Sequence, residues 1–418
     1  MQTIQSIKLK DITSKIGSGA TPRGGKNSYI TEGIALIRSL NVYDFSFAYE
    51  GLAFIDEKQA SQLENVLVEG ADILLNITGA SVCRCCLVPK NVLPARVNQH
   101  VSIVRIKPRA ASARYALYAI NSPYNKRRLL AIAQGGATRE ALTKEKIENF
   151  EIPLPPLPTQ LKIAAILSAY DDLIENNLRR IKILEEMAQT LYREWFVKFR
   201  FPGHQKVKMV DSPLGKIPEG WEAKRVGDIA EDMRRGVKPS EVPPDTPYIG
   251  LEHLPRKSIA LSQWGFAGDV QSTKFEFKRG EILFGKIRPY FHKVGFAPID
   301  GICSSDTIVI ADKDHKWYPL LLCCVSSEDF VAHTTQTSKG TKMPRADWEV
   351  LTKYPVPVPP PSLLTNFNSF LENNLGLIEN LIFRNRNLRQ TRDLLLPKLI
   401  SGELDVSELD IETVNDGL

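Results

Sequence analysis

The stretch TQLKIAAILSAYDDLIENNLRRIKILEEMAQTLYREWF, residues 159–196, contains no glycine or proline and directly follows the proline-rich IPLPPLP. Apolar or small residues recur along it in alternating steps of three and four, a pattern that buries one stripe of a helix against a partner helix. At 1.5 Å per residue the helix is ~55 Å long, more than a compact domain needs, so we expect a spacer. Its seam consists of Leu167, Tyr170, Ile174, Asn177, Ile181, Leu184, Ala188, Leu191 and Trp195.

The partner helix is in the same chain, after a second proline run, YPVPVPPPS. Pro153 and Pro357 are 204 positions apart (357 − 153), and so are the two LIEN motifs at Leu173 and Leu377 (377 − 173). The common offset indicates a duplication that puts the seams in register. The second seam consists of Phe367, Leu371, Asn374, Ile378, Leu381, Asn385, Leu388, Arg392 and Leu395. Asparagines in the seam fix register at a cost in stability, or else face other subunits.

The globular segments before each helix repeat the same landmarks, such as Asp72 and Glu281 (281 − 72 = 209). Short apolar runs between glycine, proline and asparagine predict strands, and one helix is expected over 111–132. The predicted fold class is α+β, with two mixed, strand-rich domains separated by two long helices in an antiparallel coiled coil, internally duplicated with pseudo-two-fold symmetry. The predicted boundaries are 1–157 and 201–361 for the domains, 158–200 and 362–400 for the helices, and 401–418 for a C-terminal tail.

Composition sets limits on the class of protein. The 418 residues are 43% hydrophobic and 24% charged, which is typical of a folded protein large enough for two cores. The net charge of +6 permits a polyanionic partner without requiring one. With no apolar leader and no run of eighteen apolar residues, we expect a cytoplasmic protein. The C-x-C-C at 83–86 lacks the second cysteine pair of a zinc site, so we expect free thiols and no metal.

Five motifs carry a resemblance to a known family. They are GGAT at 135, LPPLPTQLKIAAIL at 154, LGKIPEGWE at 214, GEILFGKIRPYF at 280 and LLLPKLISGEL at 394. Together, in this order and in a duplicated frame, they make the chain resemble the specificity subunit of type I restriction–modification systems over nearly its whole length.

The resemblance implies a function in phage defence. Two target-recognition domains would each read one half of a split, asymmetric sequence in double-stranded DNA, and the helices would set the gap between the halves. The helices would also dock two methyltransferase (modification) subunits, which carry S-adenosylmethionine and methylate adenine at N6. A restriction and translocation subunit, which uses ATP and Mg²⁺, would join them. The resemblance implies neither catalytic residues nor a cofactor in this chain, and it does not give the target sequence.

The candidate DNA contacts are cationic, amide and hydroxyl side chains on glycine-rich loops, because phosphate contacts position a protein and base-edge contacts specify. In the first domain they are Thr21, Arg23, Arg38, Asn41, Ser81, Arg84, Asn98, Gln99, His100, Thr138 and Arg139. In the second they are Lys238, His253, Lys286, Arg288, Tyr290, Lys293, Ser304, Ser305, Asp306, Lys339 and Lys342. The alternation of Lys286, Arg288 and Tyr290 predicts a strand with all three on one face.

The candidate subunit-interface residues lie on the two helices. They are Leu167, Tyr170, Ile174, Asn177, Ile181, Leu184, Leu371, Asn374, Ile378, Leu381, Asn385 and Leu388.

Two other functions are alternatives to DNA recognition. NSPY at 121–124 is close to the N/D-P-P-Y motif of adenine methyltransferases, but Ser122 departs from it and no glycine-rich cofactor loop precedes it. A helix that ends before Pro123 is the simpler interpretation. A coiled-coil adaptor without DNA readout is the second alternative, and it would show no salt-dependent retention of duplex DNA.

Overall fold

The computed structural model describes residues 4–135, 140–340 and 342–413 and divides into two compact units. The first unit comprises Met1–Ile174 with Leu388–Leu418, and the second comprises Glu175–Asn387. The division falls inside both long helices, so each unit is built from one part of each helix.

The first unit contains twelve strands and five short helices among its described residues, followed by the first long helix. The strands are β1 (Ser6–Lys8), β2 (Thr13–Ser18), β3 (Ile34–Ile37), β4 (Val42–Tyr43), β5 (Ser46–Phe47), β6 (Ala53–Ile55), β7 (Leu67–Val68), β8 (Ile73–Asn76), β9 (Cys85–Leu87), β10 (Ala95–Val97), β11 (Val101–Ile106) and β12 (Glu151–Pro153). The helices are α1 (Leu9–Ile12), α2 (Glu57–Gln62), α3 (Ala113–Asn121), α4 (Pro123–Gln134), α5 (Lys144–Glu148) and α6 (Leu157–Tyr192).

Two four-stranded sheets form the centre of the first unit. One is antiparallel, in the order β2-β11-β8-β9, and the other, in the order β6-β3-β10-β7, contains the parallel pair β3 and β10. Along β8, Ile73 and Leu75 pack with the helices while Leu74 packs with the second sheet. A strand covered on both faces reads as a continuous apolar run, which is why β8 is ILLN.

The second unit contains the remaining elements in the same succession. Its strands are β13 (Met209–Ser212), β14 (Gly215–Pro218), β15 (Glu222–Arg225), β16 (Ala230–Asp232), β17 (Gly236–Val237), β18 (Pro247–Ile249), β19 (Gly265–Phe266), β20 (Lys274–Phe277), β21 (Ile282–Gly285), β22 (Val294–Phe296), β23 (Gly301–Cys303), β24 (Thr307–Asp312) and β25 (Pro355–Val358). Its helices are α7 (Val226–Ile229), α8 (Tyr318–Val325), α9 (Glu328–Thr337), α10 (Trp348–Leu351) and α11 (Pro361–Ser401).

The sheets of the second unit repeat those of the first. The order β16-β24-β21-β22 matches the first antiparallel sheet. The order β17-β20-β23-β18-β19 matches the second sheet, including the parallel pair β18 and β23, with β17 added at one edge. The duplication predicted from the sequence is thus present in the topology.

The two long helices pair in opposite directions. In the second unit, the Asn177 side-chain amide donates to the Asn385 side-chain oxygen at 2.8 Å, and the Trp195 and Phe367 rings lie 6.0 Å apart. As the position on α6 advances from 177 to 195, its partner on α11 recedes from 385 to 367, so the pair is antiparallel. The prediction of an antiparallel coiled coil is confirmed, and the buried asparagines occupy its seam.

Two local predictions are wrong, and proline explains both. The helix expected over 111–132 is divided into α3 and α4 at Ser122, whose ψ of 143° is extended because the residue before a proline avoids the helical region. The strand expected over 286–290 is absent: β21 ends at Gly285, Arg288 has φ +50°, and Pro289–Phe291 forms a 3₁₀ turn. Lys286, Arg288 and Tyr290 therefore do not share a strand face.

Within the described residues, no helix is both long enough and apolar enough to cross a membrane.

Candidate nucleic-acid interface

In the first unit, a chain of hydrogen bonds connects three loops at the ends of strands. The Thr21 hydroxyl, after β2, bonds the Gln99 side-chain oxygen. The Gln99 amide lies 3.2 Å from His100 Nε2, and His100 Nδ1 lies 2.7 Å from the Thr78 hydroxyl, after β8. Gln99 and Thr21 are exposed, so the chain presents neutral hydrogen-bonding groups to solvent.

A second group in this unit is assembled around the buried Asn76 at the end of β8. Its side-chain amide donates to the Ser39 carbonyl at 2.9 Å and to the Ser81 hydroxyl at 3.1 Å. The two predicted arginines nearby each cover a tyrosine ring: Arg38 lies 5.3 Å from the Tyr29 centroid and Arg84 lies 4.9 Å from that of Tyr43. Both guanidinium groups are thereby held at the surface of the loops.

Other predicted residues of the first unit have different surroundings. Asn41 is fully buried, and its amide spans the loop by accepting from the Arg38 N–H at 3.0 Å and donating to the Ala48 carbonyl at 2.9 Å. It is therefore unavailable to DNA, which corrects its assignment as a contact. Asn98 is also buried and caps the turn by accepting from the His100 N–H at 3.1 Å. Arg23 is exposed, whereas Thr138 and Arg139 lie outside the described residues.

In the second unit, the corresponding loops bring together charged groups. The Lys286 ammonium, after β21, donates to the Ser305 carbonyl at 2.9 Å, and burial lowers its pKa. The Lys286 backbone bonds both Asp306 and Ala346, which joins the loop between β23 and β24 to the loop after α9. Arg345, from that last loop, lies 3.6 Å from the Asp306 carboxylate. Ser304 supports the turn by accepting from the Asp306 N–H at 3.2 Å.

The remaining predicted residues of this unit make contacts of their own or are exposed. His253 Nδ1 accepts from the Gly250 N–H at 2.9 Å, and the Lys293 ammonium donates to the Leu251 carbonyl. Burial lowers the pKa of Lys293. Lys342 is exposed. The exposed ion pairs are Lys238 with Glu241 at 3.8 Å and Lys339 with Asp347 at 3.4 Å.

Three residues that sequence reasoning missed have central positions: Asn76, Thr78 and Arg345. Arg345 lies in the same segment as Lys339 and Lys342, and its charge could have drawn attention to it. Its contact with a turn some forty positions earlier depends on the pairing of two loops that no local pattern indicates. Asn76 and Thr78 flank Ile77 in an apolar run and offer no sequence signal.

Most of the predicted subunit-interface residues are used inside the chain. Leu167, Ile174, Asn177, Ile181, Leu371, Asn374, Ile378, Leu381 and Asn385 are buried. Tyr170, Leu184 and Leu388 are half-buried. The exposed apolar residues of the helices are others, including Leu173 and Leu377. Any role of the buried set toward another subunit stays a prediction.

The cysteines are buried free thiols in this structure. Burial raises the pKa of Cys83 and of Cys303 to about 12 in each case, which keeps these thiols protonated. Across residues 4–135, 140–340 and 342–413, no cluster of three or more His, Cys, Asp or Glu side chains is arranged to hold a metal ion.

Comparison with known proteins identifies the family. A family model described as the type I restriction modification DNA specificity domain matches residues 1–186 and 218–363, well over half of the chain. The chain belongs to this family. Its two matched segments correspond to the two halves of the duplication, and the resemblance carried by the five motifs is confirmed.

Relatives of this specificity family match along most of the chain. The type I restriction enzyme MjaIX specificity subunit of Methanocaldococcus jannaschii is 26% identical over 430 residues, which cover 96% of this chain and 94% of the relative. The EcoDI specificity subunit of Escherichia coli is 25% identical over 297 residues, covering 64% and 66%. The crystal structure of a type I restriction–modification S subunit from M. genitalium covers 96% of this chain and 97% of its own, with TM-score 0.57 and 15% identity, and supports the fold.

Membership of the specificity family confirms DNA recognition without catalysis and removes both alternatives. The NSPY segment has a structural role: the Asn121 side-chain amide is buried and donates to the Cys85 carbonyl at 3.1 Å, and Pro123 begins α4. The adaptor alternative does not account for two matched DNA specificity domains.

Proposed function

We propose that this chain reads a split, asymmetric target in double-stranded DNA, one half-site per unit, within a complex that methylates adenine at N6. The observation that supports it most directly is that equivalent strand-end loops carry different chemistry in the two units. The first unit has Ile77, Gln99 and His100 where the second has Lys286, Ser305 and Asp306, at offsets of 209 and 206 positions. Different groups at equivalent places select different bases, so the two half-sites differ.

The chemistry of each loop set suggests how it reads DNA. Glutamine can bond adenine in a bidentate manner in the major groove, and Gln99 is the exposed amide among the predicted contacts of the first unit. Lysine and arginine bind phosphates and can read guanine. We assign Gln99 to base readout, Lys339 and Lys342 to the phosphates, and Lys286 and Arg345 to either.

We further propose that two methyltransferase subunits bind the outward faces of the helices. Leu173 and Leu377 are equivalent in the duplication, and each is an exposed apolar residue, at 51% and 48% of its full accessibility. Two equivalent apolar positions suit two copies of one partner. S-adenosylmethionine would belong to these partners, ATP and Mg²⁺ to a restriction subunit that joins them, and no cofactor to this chain.

Modified-base sequencing tests the recognition proposal. N6-methyladenine in one split motif should be present in the host and absent after deletion of this gene. Replacing residues 1–157, the proposed first recognition domain, with that of another specificity subunit should change one half of the motif and leave the other. A change in both halves would contradict one half-site per unit.

Native mass spectrometry of the assembled complex tests the docking proposal. Leu173→Asp and Leu377→Asp should each remove one methyltransferase subunit, and the double variant should remove both. Leu409→Asp, at an exposed leucine in the C-terminal segment, is the matched control and should leave both bound. Retention of two subunits by the double variant would rule out this face.

A further inference from the structure

The turn that follows β21 presents an exposed aromatic ring. We call residues 288–292 the aromatic turn; its tip is Tyr290, whose side chain is 50% exposed. The Tyr290 ring lies 4.8 Å from that of Phe291, in an edge-to-face arrangement. The guanidinium groups of Arg256 and Arg288 lie 4.1 Å and 5.9 Å from the Phe291 centroid. Two rings and two cations are thus gathered at a single place, where Tyr290 and Arg256 are exposed.

The backbone of the aromatic turn is held in an uncommon conformation. Arg288 and His292, at its two ends, have φ of +50° and +51°, a strained conformation that persists only where the surroundings impose it. The Arg288 N–H donates to the Pro344 carbonyl at 2.8 Å, and His292 Nε2 lies 2.8 Å from the Ser326 carbonyl. The ring is therefore presented on a fixed support.

The first unit has the same turn without the ring. Gly79 and Cys83, which are 209 positions before Arg288 and His292 (288 − 79; 292 − 83), also have positive φ, of 77° and 70°. Both turns begin three residues after an equivalent strand, β8 or β21. The tip of the first turn carries Ala80 and Ser81. Building the turn therefore does not require an aromatic residue, and the exposed Tyr290 needs another explanation.

Arg288 points to the kind of ligand. Its guanidinium lies 5.9 Å from the Phe291 centroid, beside the exposed Tyr290 ring, and pairs with no carboxylate of the described residues. A phosphate oxygen can accept from such a guanidinium, and an aromatic ring beside it can stack on a base of any sequence. A nucleotide step presents both groups together.

We propose that Tyr290 stacks on a base step in the half-site read by the second unit while Arg288 binds the phosphate of that step. This rests on the proposed division of the target between the two units. The first half-site is bound without such a ring, because Ser81 occupies the equivalent place. The two half-sites therefore differ in how far their bases are unstacked as well as in sequence.

The test uses the full complex with its methyltransferase subunits on its own target duplex. The adenine analogue 2-aminopurine, whose fluorescence reports stacking, is placed in turn at the adenines of the second half-site. Binding of the wild-type complex should change the emission at one position. Tyr290→Ser should abolish that change and weaken binding about tenfold, the effect of losing one base–aromatic stack, whereas Tyr290→Phe should stay within about twofold. Phe266→Ser, at another exposed aromatic of the same unit, is the control.

Each contrary result has a distinct meaning. Wild-type DNA affinity of Tyr290→Ser would overturn the proposal. An equal loss of DNA affinity in Tyr290→Ser and Tyr290→Phe would also overturn it, because the hydroxyl would then be the group that matters and not the ring. If Tyr290→Ser lost a protein subunit from the complex but kept its DNA affinity, the aromatic turn would be a contact with that subunit, and the proposal would be wrong. A wild-type complex without salt-dependent binding or a methylated split motif would instead contradict the proposed function itself.

Discussion

At the scale of single residues, Asp171 shows how the first unit holds its part of the long helices. Arg392 on α11 donates to Asp171 on α6, and the Tyr118 hydroxyl of α3 donates to the same carboxylate at 2.5 Å. Arg392 is only 8% exposed, and its guanidinium covers the Phe45 ring at 4.3 Å. Burial raises the pKa of Asp171, because desolvation outweighs the attraction of the arginine.

Removing this carboxylate should destabilise the first unit. Asp171→Asn leaves the Arg392 charge buried without its main counter-charge, which costs about 3 kcal/mol of unfolding free energy. All five tryptophans lie within 175–387, so hydrogen–deuterium exchange of peptides from the first unit is the suitable measurement. Asp172→Asn, at a side chain that is 68% exposed, should change that free energy by less than about 0.5 kcal/mol. Equal effects of the two variants would contradict a buried ion pair.

The same carboxyl predicts a dependence on pH. Because its pKa is raised in the folded unit, the folded state holds this proton more tightly than the unfolded chain does. Its contribution to the unfolding free energy should therefore fall as the pH rises above ~3.9, the ordinary aspartate pKa, until the raised folded value is passed. The difference between wild type and Asp171→Asn, followed by hydrogen exchange across this range, isolates the contribution. If the unfolding free energy of wild type instead rose relative to that of Asp171→Asn as the pH increased, the raised pKa would be contradicted.

The sequence could not have predicted this contact. In the duplication, Leu375 is the equivalent of Asp171, and Ala188 is the equivalent of Arg392 (171 + 204; 392 − 204). Neither residue therefore has a charged counterpart in the other half. Long-range pairing of two charges leaves no periodic signal, in contrast to the apolar seams.

At the scale of elements, the long helices were predictable because their apolar spacing extends over about eight turns and is interrupted only by asparagines and Arg392. The short loops were not. Lys286, Arg288 and Tyr290 alternate as a strand would, yet Arg288 has φ +50° and Pro289 lacks the N–H that a sheet ladder needs. Local alternation over five residues is weak evidence when proline falls within it.

The seam asparagines make a testable contribution. The Asn177 amide donates to Asn385, whose own amide is buried without a partner. Asn177→Leu should lower the unfolding free energy of the second unit by about 1–3 kcal/mol, because Asn385 is then wholly unsatisfied. The double variant Asn177→Leu with Asn385→Leu should recover that loss or exceed wild type. Tryptophan fluorescence during denaturant unfolding follows this unit.

The control for that cycle is Asn380→Leu, at an exposed position of the same helix, which should have little effect. If the double variant lost the sum of the free energies lost by the two single variants, the two asparagines would not be coupled across the seam.

At the scale of the whole molecule, the duplication predicted from offsets of 204 and 209 positions anticipated the fold and its repeat. The duplication did not predict which side chains the binding loops carry. The strand order is the same in the two halves, whereas the loop residues differ. His100 and Ile77 in the first unit are the counterparts of Asp306 and Lys286 in the second. The repeat therefore predicts the strands that hold the loops, but the contacts of the loop side chains are known only from the structure.

The proposal that the helices act as a spacer predicts a change in target geometry. Copying residues 175–181 after Ile181 and residues 381–387 before Leu381 adds one heptad to each helix at the same level of the seam, which keeps its phase. Seven residues lengthen a helix by ~10 Å, so the gap in the methylated motif should grow by about three base pairs. Insertion into one helix alone should abolish methylation through mismatch of the seam. An unchanged motif in the paired insertion would exclude a spacer role.

The division of each long helix between the units also has a consequence for biosynthesis. The first unit needs Leu388–Leu418, but these residues follow the whole of Glu175–Asn387. At 5–20 residues per second the ribosome takes roughly 10 to 40 s to make the intervening segment. Ile163 and Leu167 of α6 belong to one buried apolar cluster with Leu396 and Leu399 of α11. Throughout that time Leu396 and Leu399 have not yet been made. The half-made chain therefore carries an unpaired apolar stripe, which is a natural point for a chaperone to bind and makes truncated products prone to aggregate.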